Sequence, residues 1–182
     1  ANLVIGGQAP QPLAPGWQAL AAAQWVRNVR DIDDRQRPGL LDSRMRYSAF
    51  NPKLGLIFKP GENERWFANL SRSSEAPTFW QLADLGAGSN PGSPNTLYLQ
   101  AHPLKLQTAT TFEIGTQQRS PRLGWEAAYY LSRVRDELIA EVQNYAIDGT
   151  TVNYDHPTRH QGVELAFNAA TAPGVLMRAD RF

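Results

Sequence analysis

The 182-residue chain contains no cysteine. That excludes disulfide scaffolds, thiolate metal sites and cysteine nucleophiles. Histidine is scarce: His102, His156 and His160 are too scattered for a zinc box. Charged residues make up only 19%, below the roughly 25% of an average soluble domain. Neither sign dominates, since 18 Lys and Arg meet 17 Asp and Glu for a formal net charge of +1. A nucleic-acid groove needs a concentrated basic patch, so no nucleic-acid partner is expected. Apolar runs such as residues 19–23 fall far short of the roughly 20 residues of a membrane helix. The first ten residues, ANLVIGGQAP, show neither the charged nor the apolar region of a signal peptide.

What the chain does have is punctuation and aromatic rings. Gly 14 and Pro 13 are many breakers for a helical protein, and Trp 5, Tyr 6 and Phe 7 favour strands. Period-2 alternation confirms the direction. In residues 108–118, Thr110, Phe112, Ile114 and Thr116 share one face, and Thr111, Glu113, Gly115 and Gln117 the other. Residues 125–134 and 161–168 repeat the pattern, as do 51–59, 65–73 and 17–33. Residues 3–7 read as the end of an earlier strand and 175–180 as the start of a later one, giving about six full strands and two partial ones. Segments 19–29 and 126–142 also contain helix formers, but their aromatic alternation favours strands. One short helix is expected near 78–85, with start signals at Ser74, Glu75 and Pro77 and a stop at Gly86.

The connections carry more information. Residues 9–16, 60–64, 120–123 and 171–174 are short links, while 33–44, 74–105 and 144–157 are long, and the two kinds alternate. Loops beyond about 12–15 residues are uncommon in compact soluble domains. An antiparallel meander with tight turns at one rim and long loops at the other is the layout of an outer-membrane barrel. Each strand has an apolar face for lipid. Its second face is polar, carrying Gln24, Lys53, Asn69, Glu113, Glu126 and Glu164. Trp17, Trp25, Trp66 and Trp125 fall near strand ends, where an interfacial aromatic girdle sits. The fold class expected is therefore all-β: an up-and-down antiparallel meander, part of a large transmembrane β-barrel. A soluble all-β binding or structural domain shows the same alternation around a dry core, and that alternative stays open on pattern alone.

Four stretches resemble TonB-dependent outer-membrane receptors. FNPKLGLIFKP (residues 50–60) is similar to their strand reading roughly F-x-P-K-x-G-L-x-Y-x-P. FANLSRSSEAPTF (67–79) is similar to F-A-N-Y-S-x-S-F-x-P-P-T-F. LQTATTFEIG (106–115) resembles L-x-P-E-T-A-T-x-Y-E-I-G, with Gln107-Thr108 where Pro-Glu is common. RHQGVEL (159–165) resembles R-x-x-G-V-E-L. The motifs stand in the family's order. The resemblance implies an N-terminal plug inside a 22-stranded barrel in the bacterial outer membrane, taking up a ferric siderophore or similar iron complex with energy delivered through TonB. On that reading residues 1–182 are a partial barrel domain without its plug. Arg178 and Asp180 interrupt the alternation expected of a terminal membrane strand, so the end at Phe182 reads as a cut.

No catalytic constellation is visible. Glu113, Glu126 and Glu164 read, with Asn69, as a polar lumen wall rather than as acid–base carboxylates. Asp31, Asp33 and Asp34 match no calcium-loop spacing, and Pro157 separates His156 from His160, so no metal or other cofactor is expected. Ser71, Ser73 and Ser74 lack a nucleophile elbow. Aromatic groups on long loops commonly build binding sites. Trp80, Tyr98 and His102, on the longest loop, are therefore the expected ligand contacts.

Overall fold

The computed structural model describes residues 2–32, 43–87, 97–101, 103–142, 149–172 and 175–181. Eight strands form one antiparallel sheet: β1 (Asn2–Ala14), β2 (Trp17–Ile32), β3 (Ser43–Phe58), β4 (Glu64–Glu75), β7 (Gln107–Arg119), β8 (Leu123–Arg135), β11 (Thr158–Ala172) and β12 (Val175–Arg181). They lie side by side in that order, each neighbour following the last along the chain. β1 and β12 are the two ends of the sheet, which does not close on itself. Two smaller hairpins, β5 (Ala83–Ala87) with β6 (Leu97–Ala101) and β9 (Leu138–Val142) with β10 (Gly149–Asn153), lie at the long-loop rim. No helix among the described residues is long and apolar enough to cross a membrane.

Three expectations need correction. β1 runs through Pro10 and Pro12, so the link to β2 is residues 15–16 rather than 9–16. Proline lacks the ladder N–H, yet Pro10 and Pro12 keep their register opposite Leu20 and Gln18 on β2. The short helix, α1, covers Phe79–Leu82 and not 78–85. It begins with a capping box: the Thr78 N–H donates to Gln81 Oε1 at 2.8 Å, and the Gln81 N–H donates to Thr78 Oγ1 at 3.4 Å. It ends because residues 83–87 pair as a strand, with Leu85 opposite Leu99 and Gly86 opposite Tyr98. The long links 74–105 and 144–157 are likewise not bare loops but contain β5–β6 and β10. The ambiguous segments resolved as strands. Residues 19–29 lie within β2, and 126–142 divides into β8 and β9 at Asp136, whose φ of 52° breaks the run.

The register sorts side chains cleanly. One line across the sheet joins Leu20, Gly55, Asn69, Glu113, Tyr130 and Gly162. The next line joins Ala19, Leu56, Ala68, Ile114, Tyr129 and Val163 on the opposite face. Burial runs opposite to a soluble sheet. On β7 the apolar Phe112 and Ile114 are 41% and 46% exposed, while Gly115 and Gln117 on the polar face are buried. Leu54, Leu70, Val163 and Leu165 are each at least half exposed on the apolar face. Buried hydrophobic side chains among the described residues are Ile32, Tyr47, Leu82, Ala128 and Val134. The dry core that a soluble all-β domain requires is not present among them.

The polar face is crowded. A Cβ on Gly115 would come within 2.5 Å of the Phe67 ring, and one on Gly162 within 2.8 Å of Tyr130. Phe67 faces Gly115 and Tyr130 faces Gly162 across the ladder. Glycine lets each ring lie flat on its neighbour strand.

Candidate functional site

Besides these packed rings, the polar face carries cross-strand hydrogen bonds. Asn69 Nδ2 donates to Glu113 Oε2 at 3.2 Å, and Gln117 Nε2 donates to Glu126 Oε2 at 3.1 Å. Thr111 Oγ1 donates to Ser132 Oγ at 2.9 Å. Glu164, opposite Ala128, is exposed on the same face. Thus Asn69, Glu113, Glu126 and Glu164 share one surface.

A basin opens in that surface because of Pro52. The β3–β4 ladder stops with Lys53 opposite Ser71, although both strands continue. Pro52 itself still faces Ala23 on β2, so the missing N–H is felt toward β4. The resulting cavity of about 530 Å³ is lined by Gln8, Gln24, Asn51, Lys53, Ser71 and Ser73, among others. Asn51 Nδ2 donates to Ser74 Oγ at 2.9 Å, while its buried Oδ1 has no protein partner. The basin thus offers an unused acceptor beside a lysine. No group of His, Asp or Glu among the described residues is arranged to hold a metal ion.

Beyond the gap, the chain after β4 folds back over β2 and β3. Arg30 Nε donates to the Pro77 carbonyl at 3.2 Å, and Tyr47 Oη donates to the Leu104 carbonyl at 3.0 Å. Leu82 and Pro77 are the largest fully buried side chains among the described residues. This small apolar knot anchors α1 and leaves Trp80 79% exposed, its ring edge-on to Phe79 at 5.4 Å. Tyr98 lies in β6. His102 falls outside the described residues. Trp80 and Tyr98 therefore both sit at the long-loop rim, on α1 and on the hairpin that follows it.

The β9–β10 hairpin is latched to the same rim by Asn153. Its Oδ1 accepts from the Lys105 N–H at 2.6 Å, and its Nδ2 donates to the carbonyls of Lys105 at 3.1 Å and Asp136 at 2.8 Å. Beside it, Glu137 accepts a hydrogen bond from the Thr158 hydroxyl and lies 3.2 Å from His160 Nε2. The Thr158 hydrogen bond, aided by His160 and opposed by partial desolvation, holds the Glu137 carboxyl below its ordinary pKa. His160 is thus partnered with a carboxylate and not with His156, whose ring packs near Tyr154. Sequence reading missed these latches. Thr78-x-x-Gln81 is a legible capping box, but Asn153 and Glu137 gain their partners only through tertiary contact.

The short-turn rim has a different chemistry. Trp17, Phe58 and Trp66 lie in one line on the apolar face, with Trp17 stacked on Phe58 at 4.5 Å between ring centres. Trp66 Nε1 donates to Glu64 Oε1 at 2.7 Å, and Trp125 Nε1 donates to Gln118 Oε1 at 2.7 Å. Each ring lies against the apolar band and sends its N–H to a polar group at the margin, as amphipathic rings at a membrane interface do. From Trp125 to Arg133 on β8 the band spans eight residue-to-residue steps. That is about 26 Å along the strand, or about 20 Å of depth at a tilt near 40°.

The fold recurs in known proteins. Solved structures of similar fold include the FrpB iron transporter from Neisseria meningitidis (TM-score 0.68, 18% identity), covering 94% of this chain and 24% of that one. The copper transporter OprC matches at TM-score 0.75 and 16% identity, over 94% of this chain and 26% of that one. The ferric-catecholate import receptor Fiu from K12 E. coli matches at TM-score 0.61 and 19% identity, over 94% and 26%. The chain therefore spans about a quarter of each of these structures. No curated protein sequence matches it. A family model described as TonB dependent receptor-like, beta-barrel covers residues 5–178. The chain belongs to the TonB-dependent receptor-like β-barrel family.

Proposed function

We propose that the chain is a section of the wall of an outer-membrane receptor that takes up a ferric siderophore or similar iron complex by a TonB-dependent route. The family is one of transporters, not enzymes. The observation that carries the proposal is the inverted burial: apolar side chains are exposed on one face and hydrogen-bonded polar side chains are half-buried on the other. In water such a surface would aggregate; in a bilayer it is the expected wall. The polar face, with Asn69, Glu113, Glu126 and Glu164, then lines the lumen and meets a plug domain. The basin around Asn51 and Lys53 is a polar seat for that plug or for the passing ligand. Trp80, Tyr98 and His102, at the long-loop rim, are the proposed first contacts of the ligand. The structural likeness to an iron transporter and to a ferric-catecholate import receptor supports the ligand class.

The test uses the full-length parent protein. It is expected to fractionate with outer membranes and to migrate differently on gels before and after heating. A deletion strain is expected to lose growth on at least one ferric complex as sole iron source, and Trp80→Ala in the restored gene to weaken uptake. Unchanged growth of the deletion strain on every iron source tried contradicts the proposal.

A further inference from the structure

The apolar face ends abruptly at the long-loop rim in a cluster of arginines. Three lines of residues cross β4, β7 and β8 there. Leu70, Phe112 and Leu131 form the lowest; Arg72, Thr110 and Arg133 the middle; Ser74, Thr108 and Arg135 the highest. By register all nine fall on the face that carries Val163 and Leu165, with Ser74 turning its hydroxyl into the β3–β4 gap toward Asn51. The short threonines of β7 lie between long arginines on both sides, so the surface sinks into a trough of about 400 Å³. Its lining is Leu70, Phe112 and Leu131 below, Thr108 and Thr110 on the floor, and Arg72, Arg133 and Arg135 as walls.

The charges there are uncompensated. Among the described residues, Arg72, Arg133 and Arg135 have no carboxylate within ion-pair distance. Arg133 also stands directly opposite Arg159 on β11, and like charges in that position repel. Nearby carboxylates are engaged elsewhere: Glu75 with Gln107, Asp136 with Lys105, Glu137 with His160 and Thr158, and Asp31 with Arg44. Arginine walls two strand spacings apart, about 10 Å, can close on a phosphate from both sides, and guanidinium is the side chain best matched to that anion. The hydroxyls of Thr108 and Thr110 add donors at the floor. The leucines and Phe112 below offer no such contacts and suit acyl chains.

We infer that this trough holds the phosphorylated headgroup of a membrane lipid, with the arginines and threonines on its phosphate and its acyl chains against Leu70, Phe112 and Leu131. The inference rests on the membrane reading given above. It adds that the leaflet at the long-loop rim is gripped by a specific anion site and not merely by a general apolar band.

The full-length protein in detergent tests it, titrated with lipid A, with dephosphorylated lipid A and with inorganic phosphate alone. The wild type is expected to bind intact lipid A in preference to the other two. Arg72→Gln, Arg133→Gln and Arg135→Gln combined are expected to weaken that binding at least about tenfold and to erase the preference for phosphorylated lipid. Arg119→Gln with Arg122→Gln, at the opposite rim, is expected to change neither. If the triple variant does not fold, Thr108→Val with Thr110→Val gives the second reading, with a smaller loss in the same direction. Equal binding of intact and dephosphorylated lipid, wild-type affinity in the folded variants, or inorganic phosphate binding as tightly as lipid A overturns the inference. Failure of the membrane reading shows separately, as a protein that stays in solution without detergent and shows no heat-dependent gel shift.

Discussion

The two rims of the sheet are built on different physics. At the short-turn rim each described turn is closed by its own residues, and backbone hydrogen bonds from the Lys59 N–H to the Gly16 carbonyl and from the Arg119 N–H to the Asn63 carbonyl, both 2.8 Å, join one turn to the next. Gly16, at φ 78°, turns β1 into β2, and the Ser120 hydroxyl closes the β7–β8 turn by donating to the Leu123 carbonyl at 2.6 Å. At the long-loop rim the decisive contacts are distant in sequence. Arg30 reaches Pro77, Tyr47 reaches Leu104, and Asn153 ties Lys105 to Asp136. The outward faces differ in the same sense. Tryptophans with tethered N–H groups mark one margin of the apolar band and unpaired arginines mark the other. The wall between them is generic to its solvent, while the long-loop rim is individually assembled, which is where a receptor needs its specificity.

The largest effect should come from breaking the wall itself. Val163→Arg, opposite Tyr129, places a charge in the middle of the apolar band and is expected to cost about 2–4 kcal/mol in refolding of the full-length barrel into lipid vesicles. Glu164→Gln, one residue away on the other face, is expected to stay near wild type. Equal costs would erase the distinction between faces.

The next effect separates the rims. Leu82→Ala empties the apolar knot under α1 and is expected to cost about 2–3 kcal/mol locally. Hydrogen exchange should quicken for residues 77–87 and remain unchanged at the β7–β8 turn, because rim elements open independently of the wall. A smaller loss, about 1–2 kcal/mol, is expected for Asn153→Ala, which removes three hydrogen bonds. Its readout is faster exchange in β9 and β10 only.

The smallest effect is a pH dependence. The Glu137 carboxyl is held low in the folded state, so its contribution is fully present above the ordinary carboxylate range. It is lost as pH falls through the depressed folded value. Once the intrinsic exchange rate is divided out, protection of the β9–β10 hairpin is expected to fall in acid as the carboxyl takes up its proton, and Glu137→Gln should flatten that response.

The same contrast explains what could be read from the sequence. Phe112 and Ile114 against Glu113 and Gln117 announce a strand with two unlike faces, because strand alternation is a local property, while what each face meets stayed open on pattern alone. The strand-end positions of Trp17, Trp66 and Trp125 and the 120–123 turn were legible for the same reason, whereas Trp25, also expected near a strand end, lies in the middle of β2 opposite Phe50. The helix near 78–85 was half right: Thr78 and Gln81 cap it locally, but its end is set by pairing of Leu85 with Leu99, outside any local window. The strand β1 was cut short by reading Pro10 and Pro12 as a link, since proline signals a turn unless the ladder side is known. The arginine trough was invisible because Arg72, Arg133 and Arg135 meet only once the β4–β7–β8 register is fixed. The grouping of Trp80 and Tyr98 at one rim followed from their shared loop, whereas the Asn51 basin needed the ladder gap at Pro52.

One scan reads the two faces directly. Single cysteines placed in turn at Val163, Glu164, Leu165, Ala166 and Phe167 of the full-length protein can carry a fluorophore, since the 182 residues contain no cysteine of their own. In lipid vesicles, brominated acyl chains should quench positions 163, 165 and 167, and a water-soluble quencher should reach 164 and 166. Quenching that ignores this parity, or that places Glu164 in the acyl chains and Leu165 in water, would contradict the account.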